Sequence, residues 1–223
     1  MAARRLVIFL SCTFAFLLSS SALRAQDPQL ERIDSPPPTD VSETVRESLN
    51  SSGLRVTANG SVLGEFWFSR EIPLKETESE EALGVAFGKL KESALVGVVH
   101  FPERWSDYKD KPVPSGTYTL RYGIQPADGD HMGVSFYRDF LFLIPSCEDG
   151  NPETAYGYEQ LVDLSTKASG TEHPAILSLF PLYEEVTEPK LLKNEMDQWT
   201  VAVPLGSLTL GLVILGHGET EGL

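Results

Sequence analysis

The stretch TYTLRYGIQ, residues 117–125, decides the fold. Every second residue in it is large and apolar, which predicts an extended strand with one buried face. A strand with this alternation is typical of an antiparallel sheet, in which one face packs on the core. The apolar face comprises Tyr118, Leu120, Tyr122 and Ile124, and the opposite face comprises Thr117, Thr119, Arg121, Gly123 and Gln125.

A strand is predicted at residues 136–144. Its stretch FLFLI, residues 140–144, is apolar at every position, which predicts that the strand is central and covered on both faces. One helix is predicted near residues 158–165, with Gly170 as its C-terminal stop. We therefore predict an all-β fold, an antiparallel β-sandwich of about eight or nine strands with one inserted short helix, in a single domain over residues 54–223. Further strands are predicted at 62–72, 85–87, 95–101, 176–182, 199–205 and 208–215, the last two as a hairpin that turns at residues 206–207.

A polar loop, QPADGDHMG at residues 125–133, joins the two clearest strands. Turn chemistry explains Asp128 and Gly129, because aspartate bonds nearby backbone amides and glycine accepts a positive φ. It explains neither Asp130 and His131 nor the Arg138–Asp139 pair at the start of the next strand. The loop over residues 125–133 is therefore either a turn alone or a turn that also forms a binding site, and both interpretations stay open. Neighbours on a strand point to opposite faces, so Arg138 and Asp139 are not expected to share one pocket.

The same loop suggests a metal site. Asp128, Asp130 and His131 offer two or three oxygen and nitrogen ligands, the set that would hold a divalent metal ion. His173 is the histidine best placed in sequence to complete such a set, because it lies in a loop before a strand. If residues 95–101 and 117–125 pair as a hairpin, His100 and His131 fall at opposite ends of it.

The N-terminal region predicts export. Arg4 and Arg5 precede an apolar run over residues 6–18, and the polar chain begins after small residues, which is the pattern of a signal peptide over residues 1–25. Cleavage is predicted after Ala22 or Ala25. The apolar run is shorter than the roughly 20 residues that a membrane-spanning helix needs, so we predict no membrane span in the mature chain. Residues 26–53 are predicted to be a proline-rich linker with a short helix near 41–49.

The mature chain is strongly acidic and has little cysteine. Removal of residues 1–25 takes away three arginines and no acidic residue, which leaves 15 basic and 32 acidic residues and a formal net charge of −17. Such a charge repels phosphate backbones and argues against a nucleic acid partner. Cys147 is then the only cysteine, so the chain has to fold without an internal disulfide bond.

Several motifs of the chain occur together: residues 113–123, Gln125-Pro126, residues 128–133, residues 138–140, Lys167-Ala168-Ser169-Gly170, His173-Pro174-Ala175 and Gly216-His217. They resemble the signature of an uncharacterised family of exported bacterial proteins, and the likeness covers most of the chain after about residue 60. The resemblance implies a periplasmic or secreted location in a bacterium, and it does not indicate which activity the protein has.

No catalytic signature is visible in the sequence. It contains neither the glycine-flanked serine of an α/β-hydrolase nor a phosphate-binding glycine loop. We therefore expect a binding or structural module of the cell envelope, for which a protein and a carbohydrate ligand both stay open. The alternative is a metal-dependent envelope enzyme that uses Asp128, Asp130 and His131. The candidate binding residues are Asp128, Asp130, His131, Arg138, Asp139 and His173.

Overall fold

The apolar strands of the sequence assemble into one continuous antiparallel sheet. We describe a computed structural model, which covers residues 27–76, 84–107, 111–126 and 137–216. The elements in these ranges are β1 (Gln29–Ile33), α1 (Glu43–Ser48), β2 (Gly53–Ala58), β3 (Ser61–Phe68), β4 (Leu95–Phe101), β5 (Trp105–Ser106), β6 (Pro112–Val113), β7 (Gly116–Ile124), β8 (Asp139–Pro145), α2 (Tyr158–Ser169), β9 (Ile176–Phe180), β10 (Lys190–Lys193), β11 (Trp199–Leu205) and β12 (Leu208–Leu215).

The main sheet has the strand order β1-β2-β3-β4-β7-β8-β9-β12-β11-β10, and β5 pairs with β6 separately. All neighbouring strands in it are antiparallel, and the two edge strands, β1 and β10, approach each other so that the sheet nearly closes. The prediction of an all-β, antiparallel fold is confirmed. In the described part of the chain, none of the helices is long and apolar enough to cross a membrane.

The inner face of the sheet encloses one apolar core. Tyr118, Leu120 and Tyr122 of β7 are buried in it, as their spacing predicts, and Leu141 and Leu143 of β8 lie beside them. Strands from both halves of the sheet contribute to this core, so the sheet packs against itself as the two layers of a sandwich do.

Two segments cover parts of the outer face. Helix α2 packs Leu161 against Phe140, Phe142 and Ile144 of β8, so this strand is buried on both faces, as predicted. Gly170 ends α2 with φ 65°, in the left-handed conformation that the sequence predicts there.

The N-terminal segment differs from the predicted linker. Residues 29–33 form β1 and pair with β2, and α1 buries Val45 against the outer face of the sheet. The indole nitrogen of Trp67 donates a hydrogen bond to the Ser35 carbonyl at 2.8 Å, which fixes the proline-rich stretch on the same face. Prolines flank β1 and do not interrupt it, and an edge strand tolerates them because only one side of it is paired.

Other strands also differ from the prediction. Residues 85–87, predicted as a strand, form an irregular segment, and the strand predicted at 62–72 ends at Phe68. The four residues of β10 were not predicted as a strand. The β11–β12 hairpin is confirmed, with Gly206 in its turn at φ 62°.

Candidate functional site

Asp139 stands at the first position of β8 and points into the sheet. Its carboxylate accepts hydrogen bonds from the backbone amides of Ala86 and Phe87, at 2.7 and 3.1 Å, and from the Tyr122 hydroxyl at 2.5 Å. Burial, followed by the nearby Asp139 charge, raises the pKa of Tyr122 well above its usual range, so the phenol stays a donor. Asp139 thus anchors the irregular segment that closes this end of the core.

Arg138 is adjacent to Asp139 but has a different task. Its Nε and Nη2 atoms donate to the Gln125 carbonyl at 2.8 and 2.5 Å. The backbone of Gln125 in turn donates to the Arg138 carbonyl, so the side chain reinforces the last rung between β7 and β8. The two side chains have separate partners, and both contribute to building the end of the hairpin.

His173 lies far from this pair. It is exposed in the loop after α2, and its carbonyl accepts a hydrogen bond from the Ser169 hydroxyl at 2.6 Å. β9 begins opposite Phe142 and runs antiparallel to β8, so the residues before it lie toward the C-terminal end of β8. The Leu143 amide donates to the Ala175 carbonyl, so the segment before β9 lies at least four residues along β8 from Asp139, which is about 13 Å or more at roughly 3.3 Å per residue. The structure does not bring these two candidates together.

The other predicted site residues, Asp128, Asp130 and His131, lie outside the described residues. The metal site that they suggest therefore stays a prediction. Within the described ranges, no group of three or more histidine, cysteine, aspartate or glutamate side chains is placed to hold a metal ion. His100 has a local partner, because its Nδ1 atom lies 3.0 Å from the Thr117 hydroxyl.

An ionic centre on the outer face of β7 is not apparent from the sequence. Arg121 and Asp149 are both fully buried, and they form a two-point ion pair with both N···O distances at 2.8 Å. The remaining donors of the guanidinium reach backbone carbonyls at 2.7 to 3.1 Å, which are those of Ser93, Asn151, Pro152 and Thr154.

The carboxylate of this centre is equally well satisfied. The Thr119 hydroxyl donates to Asp149 at 2.6 Å and the Tyr156 hydroxyl at 3.2 Å. The Arg121 guanidinium also lies over the Tyr156 ring, 5.2 Å from its centre. A buried ion pair with every group engaged holds residues 149–156 against the sheet, so we interpret it as scaffold. The alternation in β7 predicts that Arg121 lies on the face away from the core, but it does not indicate that residues 149–156 cover this face.

A surface cleft next to α1 contains charged groups. It has a volume of about 470 Å³ and is lined by Glu47, Arg70, Glu71 and Glu153 among others. The Arg70 guanidinium donates to the carbonyls of Leu49 and Glu47 and thereby satisfies the C-terminal end of the helix. Its position is thus explained by the fold.

An aromatic group lies at the same end of the sheet as Asp139. The Tyr137 ring packs edge-on against Phe180, with ring centres 4.9 Å apart. The hydroxyl groups of Tyr137 and Tyr183 are 2.9 Å apart and share a hydrogen bond. Tyr183 is 79% exposed, whereas the other exposed large apolar side chains of the described residues are at 37–38%. We call the surface formed by Gln125, Tyr137, Arg138 and Tyr183 the Tyr183 end.

The hydrogen bond between Tyr137 and Tyr183 should be detectable in the titration of the Tyr137 phenol. The hydrogen bond to Tyr183 raises the pKa of Tyr137 from its usual value of 10.0 to about 12. The stabilisation by this bond is therefore complete below pH 10 and is lost as the pH rises through 12. In the Tyr183→Phe variant we expect Tyr137 to ionise closer to pH 10, as measured by ultraviolet difference titration. An unchanged titration would show that the hydroxyl pair does not form.

Comparisons of the chain with family models, with curated proteins and with solved structures found no match. The buried charged groups Arg121, Asp149 and Asp139 take part in holding the fold together. The aromatic side chain of Tyr183 is 79% exposed, so packing in the core does not explain its position.

Proposed function

We propose that the protein is an exported β-sheet module of a bacterial cell envelope, which acts by binding or structural contact at its surface. The observation that carries this proposal is the contrast between the filled core and the exposed aromatic side chain at the Tyr183 end. The inner face of the sheet is filled by side chains, and the buried Arg121–Asp149 pair has internal partners at every group. A ligand would therefore meet the outside of the molecule.

Export is supported by the sequence features of residues 1–25 and by the resemblance to exported bacterial proteins. A chain with a single cysteine after residue 25 also reaches its fold without internal disulfide chemistry, in whichever redox state its compartment has.

The Tyr183 end is the surface that we propose for ligand contact. Tyrosine is enriched at binding surfaces, because its ring offers apolar area and its hydroxyl offers a hydrogen bond. Glu184 and Glu185 follow Tyr183 and are exposed, and the net charge of the mature chain is negative. The ligand should therefore be a neutral or cationic protein or carbohydrate, since an anionic one would be repelled.

The first test is the location and processing of the full chain. After expression in a bacterium, the protein should be recovered from the periplasm or the medium, with its N-terminus at Leu23 or Gln26. Recovery of the chain from the cytosol with residues 1–25 attached would contradict the proposal of export.

The second test is binding to envelope fragments, measured by co-sedimentation of the purified mature protein. Tyr183→Ala should weaken binding by about tenfold or more, the loss typical of an aromatic hot spot. Leu215→Ala is the matched control, because Leu215 is also exposed. Strands β9 and β12 are antiparallel and pair at Phe180 and Gly211, so Leu215 lies four positions along β12 from that pair, on the side away from Tyr183. It should leave binding within about twofold.

Protease treatment of the fragments separates the two ligand classes, since binding that survives it indicates carbohydrate. Equal binding by the natural chain and by Tyr183→Ala would place the ligand elsewhere and contradict the proposed surface.

A further inference from the structure

We propose that Tyr137 and Tyr183 form a site of oxidative cross-linking, at which a dityrosine bond joins the start of β8 to the segment after β9. This inference concerns a covalent modification, and it does not depend on the ligand or on the binding role proposed above. It rests on the position of two phenol groups that are distant in sequence and adjacent in space.

The geometry brings the reacting groups together. The two hydroxyl oxygens are 2.9 Å apart, and the residues are 46 positions apart in the chain. Each hydroxyl is flanked by the two ortho carbons of its ring, so the ortho carbons of the two rings lie within a side-chain rotation of each other. Tyr137 is held by its packing on Phe180, whereas Tyr183 is 79% exposed and free to make that rotation.

Exposure favours the first oxidation at Tyr183. When its phenol loses an electron, the hydroxyl proton can pass to water, which is a stronger base than the partner phenol. Exposure makes Tyr183 accessible to a peroxidase or to a diffusible one-electron oxidant. The other described tyrosines differ. Tyr118 and Tyr122 are buried in the core, where their hydroxyls donate to the Pro114 carbonyl and to Asp139, and the half-buried Tyr156 donates to the buried Asp149. Tyr158 is half-buried and packs edge-on against Phe142.

The reaction balances with hydrogen peroxide as the oxidant. Each tyrosine loses one electron and its hydroxyl proton, and the two phenoxyl radicals couple through one ortho carbon of each ring. The hydrogens on these two carbons then move to the oxygens and restore both hydroxyls. One carbon–carbon bond forms, the protein loses two hydrogen atoms in all, and one hydrogen peroxide is reduced to two waters.

The product would be an intramolecular covalent cross-link in a mature chain that has only one cysteine and therefore no internal disulfide bond. It would close a loop that contains β8, α2 and β9. A cross-link restricts the unfolded chain, as a disulfide bond does, so the oxidised monomer should unfold at a higher temperature.

The experiment treats the dilute mature protein with a haem peroxidase and hydrogen peroxide. We expect a monomer that is lighter by two hydrogens, blue dityrosine fluorescence, and a cross-linked peptide pair that contains Tyr137 and Tyr183. Tyr137→Phe and Tyr183→Phe should each abolish this product, and each removes only a hydroxyl, so the fold should be retained in thermal melts. Tyr158→Phe is the control and should leave the product unchanged.

Protein unfolded in urea is the second control, because it should lose the specific 137–183 product. Three results would overturn the inference: a monomer of unchanged mass, coupling at other tyrosines, or coupling only between separate molecules.

Discussion

The Asp149→Ala variant is expected to lose about 3–5 kcal/mol of the free energy of unfolding, the usual consequence of removing one partner of a buried ion pair. Arg121 and Asp149 are both completely buried, so the substitution leaves a guanidinium without its carboxylate and without access to water. Urea denaturation followed by tryptophan fluorescence measures the loss. Because residues 149–156 are held by the same centre, the variant should also become sensitive to proteases there.

The adjacent Glu148 supplies the control. It pairs with Lys167 at 2.6 Å, but both side chains are substantially exposed. Glu148→Ala should therefore change the free energy of unfolding by less than about 1 kcal/mol. The double variant Arg121→Met/Asp149→Ala should be more stable than Asp149→Ala alone, because it no longer buries an unpaired charge. Similar losses in the free energy of unfolding for Glu148→Ala and Asp149→Ala would show that the buried Arg121–Asp149 pair stabilises the fold no more than an exposed ion pair does.

The second large effect is expected at Asp139. Asp139→Ala should lower the free energy of unfolding by about 3 kcal/mol, since it removes the acceptor of two backbone amides and one phenol in a buried place. Tyr122→Phe removes a single donor and should cost about 1 kcal/mol. Urea denaturation of both variants measures the two losses in the free energy of unfolding. A loss below about 0.5 kcal/mol for Asp139→Ala would mean that Asp139 is free for a role in ligand binding.

The fold could be predicted where local pattern and burial agree. In β7 the alternation correctly assigned Tyr118, Leu120 and Tyr122 to the core, and the run of apolar residues in β8 correctly implied cover on both faces. Helix α2 was recognisable from its spacing and from Gly170, because a left-handed glycine is a common helix stop. These features depend on residues that are close in sequence.

What could not be predicted depends on contacts that are distant in sequence. The Arg121–Asp149 pair spans 28 positions, and nothing near Arg121 shows that residues 149–156 will cover it. β1 was predicted as a linker because of its flanking prolines, and only its pairing with β2 makes it a strand. The sequence predicts Asp139 as a site residue because it is charged and next to a polar loop, but its three donors come from β7 and from residues 86–87.

The central claim is that the Tyr183 end is the ligand-contact surface of an exported module. Hydrogen–deuterium exchange of the mature protein, with and without envelope fragments, tests it most directly. We predict that the fragments slow exchange in residues 137–139 and 181–185 and leave residues 171–175, around His173, unchanged. Protection confined to residues 171–175, or no protection at any amide, would contradict the claim.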